Sequence, residues 1–446
     1  MDVAYDNAEA TIYRFAGETA LASRPQWTIA AGPWELTCTQ LHSERARLYN
    51  FGTMKDLNLP RTLMGRLTGA MVLLAGLVFA ALSACGGDGE SGGELSRFTF
   101  TSELVAAADT PVKLAVAPDG RIFYSEYPFG SAFRLGTIRI IGADGQPLEQ
   151  PFAQVAVGEM RDWGLFGLAF DPQFETNHYV YAYFIAPTPD GGGEAAIMRY
   201  TDVNNQGTDP TPILADPPRL SPDQTFHTGG GLIFGPDGYL YLSLGNFNRD
   251  AYTQDLSVLP GKIIRITTDG SAAPDNPFVD TPGADPRIFA YGLRNVFDFT
   301  FHPSTGRIYA SDNGTSNCDE LNIVDKGQNY GWPQSFDTEV CHNPDAVEAI
   351  YYFAAPGKKP EEKLSNIAPT AVEFLTDSGD MLLACESNTG FMRLLLLGGP
   401  DFEEVLETKV IAEDCIFDIA RAPDGTIYYS NFKEIRRLVP ESGSDS

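Results

Sequence analysis

In the stretch QTFHTGGGLIFGPDG, residues 224–238, His227 stands before three glycines and an apolar run, in a chain with only five histidines. A neutral imidazole near pH 7 is a natural general base. Glycines beside it let a flat ligand approach the backbone closely. The same residue also suits a plain role as the cap of a turn. A second candidate is Arg294-Asn295 in RIFAYGLRNVFDFTFHP, residues 287–303. Its guanidinium offers five donors and a permanent charge, apt for clamping carboxylates or an oxyanion, or for an ordinary salt bridge. A third is ASDNGTSNCDELNIVDKGQNYGWP, residues 310–333, where Asp312, Asn313, Asp319, Glu320 and Asn322 gather with Gly314 and Thr315. Hard cations such as calcium take side-chain and backbone oxygens in loops of this kind, and the spacing is not that of an EF-hand. Such a cluster also fits a simple turn. GNFNRDAYTQD, residues 245–255, is a second oxygen-rich loop. His178 and His302 fall in hairpin turns remote from these loops and read as structural or exposed.

The elements that would position these residues repeat. KLAVAPDGRIFYSE (113–126), GLAFDPQFETNHYVYAYF (167–184), GLIFGPDGYLYLSLG (231–245), DFTFHPSTGRIYASDNG (298–314), AVEFLTDSGDMLLACES (371–387) and DIARAPDGTIYYSN (418–431) share one phrase. Each is a short apolar strand, a turn built on Pro, Asp or Gly, and a second strand with period-two alternation. One hairpin cannot bury its apolar face, so six must stack. The expectation is an all-β chain forming a six-bladed β-propeller over residues 110–440, with its chemistry on loops around a central channel. In GQNYGWP, Tyr330 and Trp332 are expected to pack between blades.

The flanks carry different information. MGRLTGAMVLLAGLVFAALSAC, from Met64 to Cys85, resembles a bacterial lipoprotein signal over 64–84 whose lipidated residue would be Cys85. A retained transmembrane anchor is the rival reading. Residues 85–109 read as a flexible Gly/Ser-rich tether. Residues 1–63 read as a non-native extension or an unstructured segment. The expected location is outside the cytoplasm, lipid-anchored on the outer side of the cytoplasmic membrane or in the periplasm. Seven basic and seven acidic residues precede Cys85, so the whole net charge of −28 belongs to the chain beyond it. Such a surface excludes nucleic acid as a partner. Four cysteines remain after Cys85, and an exported body permits disulfides. Cys318–Cys341 and Cys385–Cys415 would each close a local loop.

Taken together and in this order, GLFGLAFDPQFETNHYVYAYF, HTGGGLIFGPDGYLYLSLGN, LPGKIIRI, YGLRNVFDFTF and DELNIVDKGQNYGWP resemble the glucose/sorbosone dehydrogenase family over roughly residues 110–440. The resemblance implies a propeller holding pyrroloquinoline quinone (PQQ) and Ca2+. His227 would take a proton from a sugar's anomeric hydroxyl while hydride passes to the quinone. Arg294 and Asn295 would contact the cofactor, and Gly314 and Thr315 would offer carbonyls to the calcium. The partners implied are a small sugar and a respiratory electron acceptor. The chain departs from the family's pattern in four places: Gly231-Leu232 replaces Arg-Leu, Asn246 stands for an aspartate, Thr315 stands for a proline, and EDCIFDI lacks an arginine before the last blade. Lys358 and Lys359, with Lys363, are candidates to replace that positive charge toward an anionic cofactor. The altered loop also keeps open a non-enzymatic binding module resembling the Hedgehog-interacting proteins. A calcium-dependent lactone hydrolase is a third class, and it would need several convergent acidic ligands.

Overall fold

The structure is a computed structural model, which describes residues 93–127, 135–158, 162–315, 318–333, 345–353 and 367–441. Almost every regular element in it is a strand, and the strands form six antiparallel sheets. Blade one contains Pro111–Val116, Ile122–Glu126, Leu135–Ile141 and Ala153–Ala156. Blade two is built on Leu165–Phe170, Tyr179–Pro187 and Gly193–Val203, blade three on Leu232–Phe234, Leu240–Leu244, Lys262–Ile266 and Ile288–Tyr291. Blade four runs Val296–Phe301, Ile308–Asp312, Glu320–Val324 and Tyr351–Tyr352, and blade five Pro369–Phe374, Met381–Glu386, Phe391–Gly398 and Glu404–Glu413. The six repeated phrases are the two inner strands of the six blades, as the alternation requires.

Blade six closes the ring. Its inner strands, Ile419–Arg421, Ile427–Ser430 and Glu434–Pro440, come from the end of the fold, and its outer strand is Phe100–Ala107. Thr101 faces Val439, 338 residues away. Residues 100–107, assigned to the tether on sequence, therefore belong to the propeller. Their alternation is masked by a bulge between Leu104 and Ala106. Closure leaves no inner edge open to another chain.

Inner strands of neighbouring blades touch around the ring. Aromatic and aliphatic side chains fill the seams between sheets, among them Tyr181, Tyr309, Phe299 and Tyr429. His302 is buried at 1% exposure, stacked among Tyr309, Phe374 and Phe402. Its Nδ1 accepts the backbone N–H groups of Ser304 and Thr305, so it serves the turn and is not exposed. Tyr330 and Trp332 are both buried, with the Tyr330 hydroxyl donating to the Ile323 carbonyl.

The channel is barred partway by charge. Lys113 of blade one reaches Asp298 of blade four at 2.8 Å and Asp418 of blade six at 2.9 Å, all three buried. The free carboxylate oxygen of Asp418 takes the Leu114 N–H, and that of Asp298 faces the Val372 N–H. Four blades are thus pinned to one hub. A buried pair of this kind contributes little net stability while intact, yet losing one partner is expensive.

Cys385 and Cys415 form a disulfide with Cα atoms 5.2 Å apart, tying blade five to the loop that enters blade six. Cys318 is disulfide-bonded as well, and its expected partner Cys341 lies outside the described residues. Cys85 and the whole segment 1–92 also lie outside them.

Candidate active site

His227 and Arg294 sit at one mouth of the channel, each on the loop that leads into an inner strand. His227 adopts a left-handed backbone, φ 61°, which is unusual for a residue with a side chain. Its N–H donates to Asp162 Oδ2 at 2.9 Å, and the Thr228 hydroxyl donates to the Asp162 carbonyl at 2.7 Å. Gly229 follows with φ 75°, its N–H donating to Asn295 Oδ1 at 3.1 Å. A side chain at Gly245 would collide with the His227 carbonyl, so glycine is required where these two loops cross. The glycines found in the sequence act here as permission for loops to pack.

Asn246 links the two candidates. Its N–H donates to the Arg294 carbonyl at 2.8 Å, and its Oδ1 lies 2.9 Å from His227 Nδ1. The same Oδ1 accepts the Asn248 N–H at 3.0 Å, which identifies that atom as the oxygen. His227 Nδ1 therefore carries the proton and Nε2 carries the lone pair. Burial and the nearby Arg294 charge hold the imidazole down at about 4, against opposing contributions from the Asn246 hydrogen bond and Asp250. The ring is neutral and ready to accept a proton at neutral pH.

Arg294 is half-buried. Its N–H and that of Asn295 donate to the two oxygens of Asp312, at 2.9 and 2.6 Å. Its Nη1 donates to the Asn313 carbonyl at 2.6 Å, and the guanidinium lies over the Trp332 ring at 5.2 Å. Among the described residues it forms no ion pair with a carboxylate. Burial lowers its basicity in consequence. A guanidinium taken from water without a counter-ion invites an anion.

The acidic cluster serves a purpose other than the one its composition suggested. Both oxygens of Asp312 accept backbone N–H groups. Asp319 accepts those of Gly314, Ile367 and Ala368. Burial pushes Asp312 up to about 6 and raises Asp319. Glu320 accepts from the Asn322 amide within its own strand. Among the described residues no three acidic, His or Cys side chains gather to hold an ion, and these three carboxylates are engaged within the fold. They hold the loop instead. Gly314 and Thr315 remain, the Thr315 carbonyl already accepting the Cys318 N–H at 3.1 Å, next to Asn313, whose buried Oδ1 has no hydrogen-bond partner among the described residues. A stranded acceptor beside two carbonyl-bearing residues suits a hard cation.

A cavity at this mouth is lined by Val112, Tyr127, Asp162, Phe166, Phe297 and Phe417, with Thr370 and Ser387. Most of these residues lie at the entries to the innermost strands of blades one, two, four, five and six, while Tyr127 and Ser387 follow the second strands of blades one and five; His227 adjoins the cavity through Asp162. Phe417 of the EDCIFDI loop supplies an apolar wall in the region where the family pattern offers an arginine. Sequence reasoning missed Asp162, whose role rests on contacts 65 residues away. It also missed Trp332 as the platform beneath Arg294. Lys358 and Lys359 lie outside the described residues.

The comparisons agree with this architecture. The chain is 34% identical over 172 residues to the aldose sugar dehydrogenase YliI of Escherichia coli K12, covering 38% of this chain and 46% of that protein. It is 28% identical over 270 residues to quinoprotein glucose dehydrogenase B of Acinetobacter calcoaceticus, covering 52% and 51%. The chain thus spans about half the length of these two relatives. An oxidoreductase (glucose dehydrogenase) of Thermus thermophilus superposes with TM-score 0.66 at 27% identity, over 76% of this chain and all of that one. The glucose/sorbosone dehydrogenase model matches residues 108–434, which takes in blades one to five whole and the two innermost strands of blade six, and the chain belongs to that family.

Proposed function

We propose that this chain oxidises an aldose at its anomeric carbon, with PQQ and calcium as its bound cofactors. One observation carries the reading: among the described residues, an imidazole nitrogen with no hydrogen-bond partner and a guanidinium with no carboxylate ion pair share one channel mouth, joined through Asn246. The residues present fit the cofactor. Arg294 would meet its anionic oxygens, and Asn295 would offer Nδ2, its Oδ1 being committed to Gly229. The carbonyls of Gly314 and Thr315, with Asn313 Oδ1, would hold the calcium. When bound, PQQ with calcium supplies the acceptor for a substrate hydride.

His227 Nε2 takes the proton of the anomeric hydroxyl. The electron pair left on oxygen would form the C=O bond of a lactone as the anomeric C–H bond breaks and its hydride passes to that acceptor. The Nδ1–H bond to Asn246 holds the ring in the tautomer this step needs. Tyr127, Phe166, Phe297 and Phe417 line the cavity and would offer flat faces to the C–H side of a sugar ring. Asp162 holds the His227 backbone in its strained conformation. The Cys385–Cys415 disulfide supports an exported location. Lipid anchoring at Cys85 and electron delivery to a respiratory acceptor complete the proposal.

The test is reconstitution of the full chain with PQQ and calcium, measuring cofactor affinity and aldose-dependent dye reduction. Tight binding with sugar-dependent turnover is expected. No binding at micromolar PQQ would overturn the reading and favour a binding module.

A further inference from the structure

Asn246 is a neutral amide, so among the described residues no carboxylate touches the His227 imidazole, and the carboxylate of Asp162 meets only its backbone N–H. Yet an imidazole that accepts a proton needs a negative charge nearby. The nearest acid in the network is Asp250, at the start of the short helix Asp250–Gln254. Asp250 Oδ1 accepts Asn246 Nδ2 at 2.9 Å, and the same atom accepts Trp332 Nε1–H at 2.7 Å. One carboxylate oxygen therefore holds both the partner of the imidazole and the ring beneath the guanidinium. The helix is fastened to that ring a second time. The Thr253 hydroxyl and the Gln254 amide both donate to the Trp332 carbonyl, at 2.6 and 2.7 Å.

We propose that Asp250 is a positioning residue for the dehydrogenase reaction, supplying through Asn246 the negative charge that steadies a protonated His227 and fixing Trp332 under Arg294. The proposal rests on the function proposed above. The geometry gives it direction. Asn246 Oδ1 faces His227 and the Asn248 N–H, so Nδ2 must face outward, and an ionised carboxylate is an acceptor there without ambiguity. An amide between charge and ring is polarised by both and passes part of the field along the hydrogen bonds. The other groups facing His227 are Asp162, whose carboxylate takes the His227 N–H, and Arg294, whose charge opposes protonation. Asp250 acts in the opposite sense to Arg294.

The test separates charge from shape. Asp250→Asn keeps an acceptor oxygen for both donors and removes the charge. The double variant Asn246→Asp/Asp250→Asn moves the charge inward by one residue, into contact with the ring. His227 is followed by NMR titration of the full chain without cofactor or sugar, its resonance identified by its loss in His227→Gln. Asp250→Asn should lower the His227 midpoint by roughly half to one unit, and the double variant should raise it above wild type. In the reconstituted enzyme, Asp250→Asn should lower kcat about threefold with KM little changed, as expected for a weaker base. An unmoved midpoint in Asp250→Asn, or a double variant that does not exceed wild type, overturns the proposal. If wild-type chain binds no PQQ, the dehydrogenase reading fails alone, because the midpoint is read without cofactor.

Discussion

Two groups of charged residues lie along one channel, and they are treated in opposite ways. At the hub, Lys113 meets two carboxylates within 2.9 Å and every remaining carboxylate oxygen faces a backbone N–H. At the mouth, Arg294 has a carbonyl and an aromatic face but no carboxylate pair among the described residues. The hub's charges satisfy one another and so serve the fold. In the proposed function, the mouth's charge meets an anionic cofactor. Uncompensated groups of this kind cost stability and persist where function needs them.

Substitutions should break this contrast in unequal ways. The largest effect is expected for His227→Ala, which removes the proton acceptor. Sugar-dependent turnover of the reconstituted protein should fall by roughly 10²–10⁴ while PQQ affinity stays within a few-fold. Steady-state kinetics with a parallel cofactor titration reads both. Next come the two cations. Lys113→Met should destabilise the fold by about 3–5 kcal/mol, since two buried carboxylates lose their shared partner. Arg294→Ala should leave urea-unfolding stability unchanged or slightly improved and weaken PQQ binding by roughly 10- to 100-fold. Equal losses of stability for both variants would erase the distinction between hub and mouth.

The smallest effect is one of pH. Burial pushes Glu373 up to about 7, above its ordinary carboxylate value. The folded state holds this proton more tightly than the unfolded chain. The stability it contributes is full below about pH 4 and is lost as pH rises through about 7. Glu373→Gln removes this group, so it should stabilise the protein by about 1–3 kcal/mol at pH 8 and hardly at all at pH 4. Denaturant unfolding at the two pH values checks the sign. A larger gain at the acidic end would contradict it.

The propeller was legible because its signals are local. Pro-Asp-Gly turns and alternating strands declare themselves within about fifteen residues, and six copies imply a ring. The placement of His227 and Arg294 before inner strands was legible for the same reason. Side-chain direction was not. Asp312 and Asp319 looked like metal ligands by composition, but their oxygens turn inward to backbone N–H groups that only the folded loop presents. Asp162, Asp250 and Trp332 gain their roles from partners 65, 4 and 82 residues away, and even the short spacing gives no local pattern. That Phe417 lines the cavity required the ring to be closed.

The pairing of Phe100–Ala107 with Glu434–Pro440 has a kinetic consequence. This barrel of blades cannot be finished until the last strand has been synthesised, so the earliest strand must wait unpaired through most of the chain's production. Such distant pairing slows folding and exposes a sticky edge in the interval. Deleting residues 93–107 should therefore leave the sixth sheet without its outermost member and turn a monodisperse product into one that self-associates.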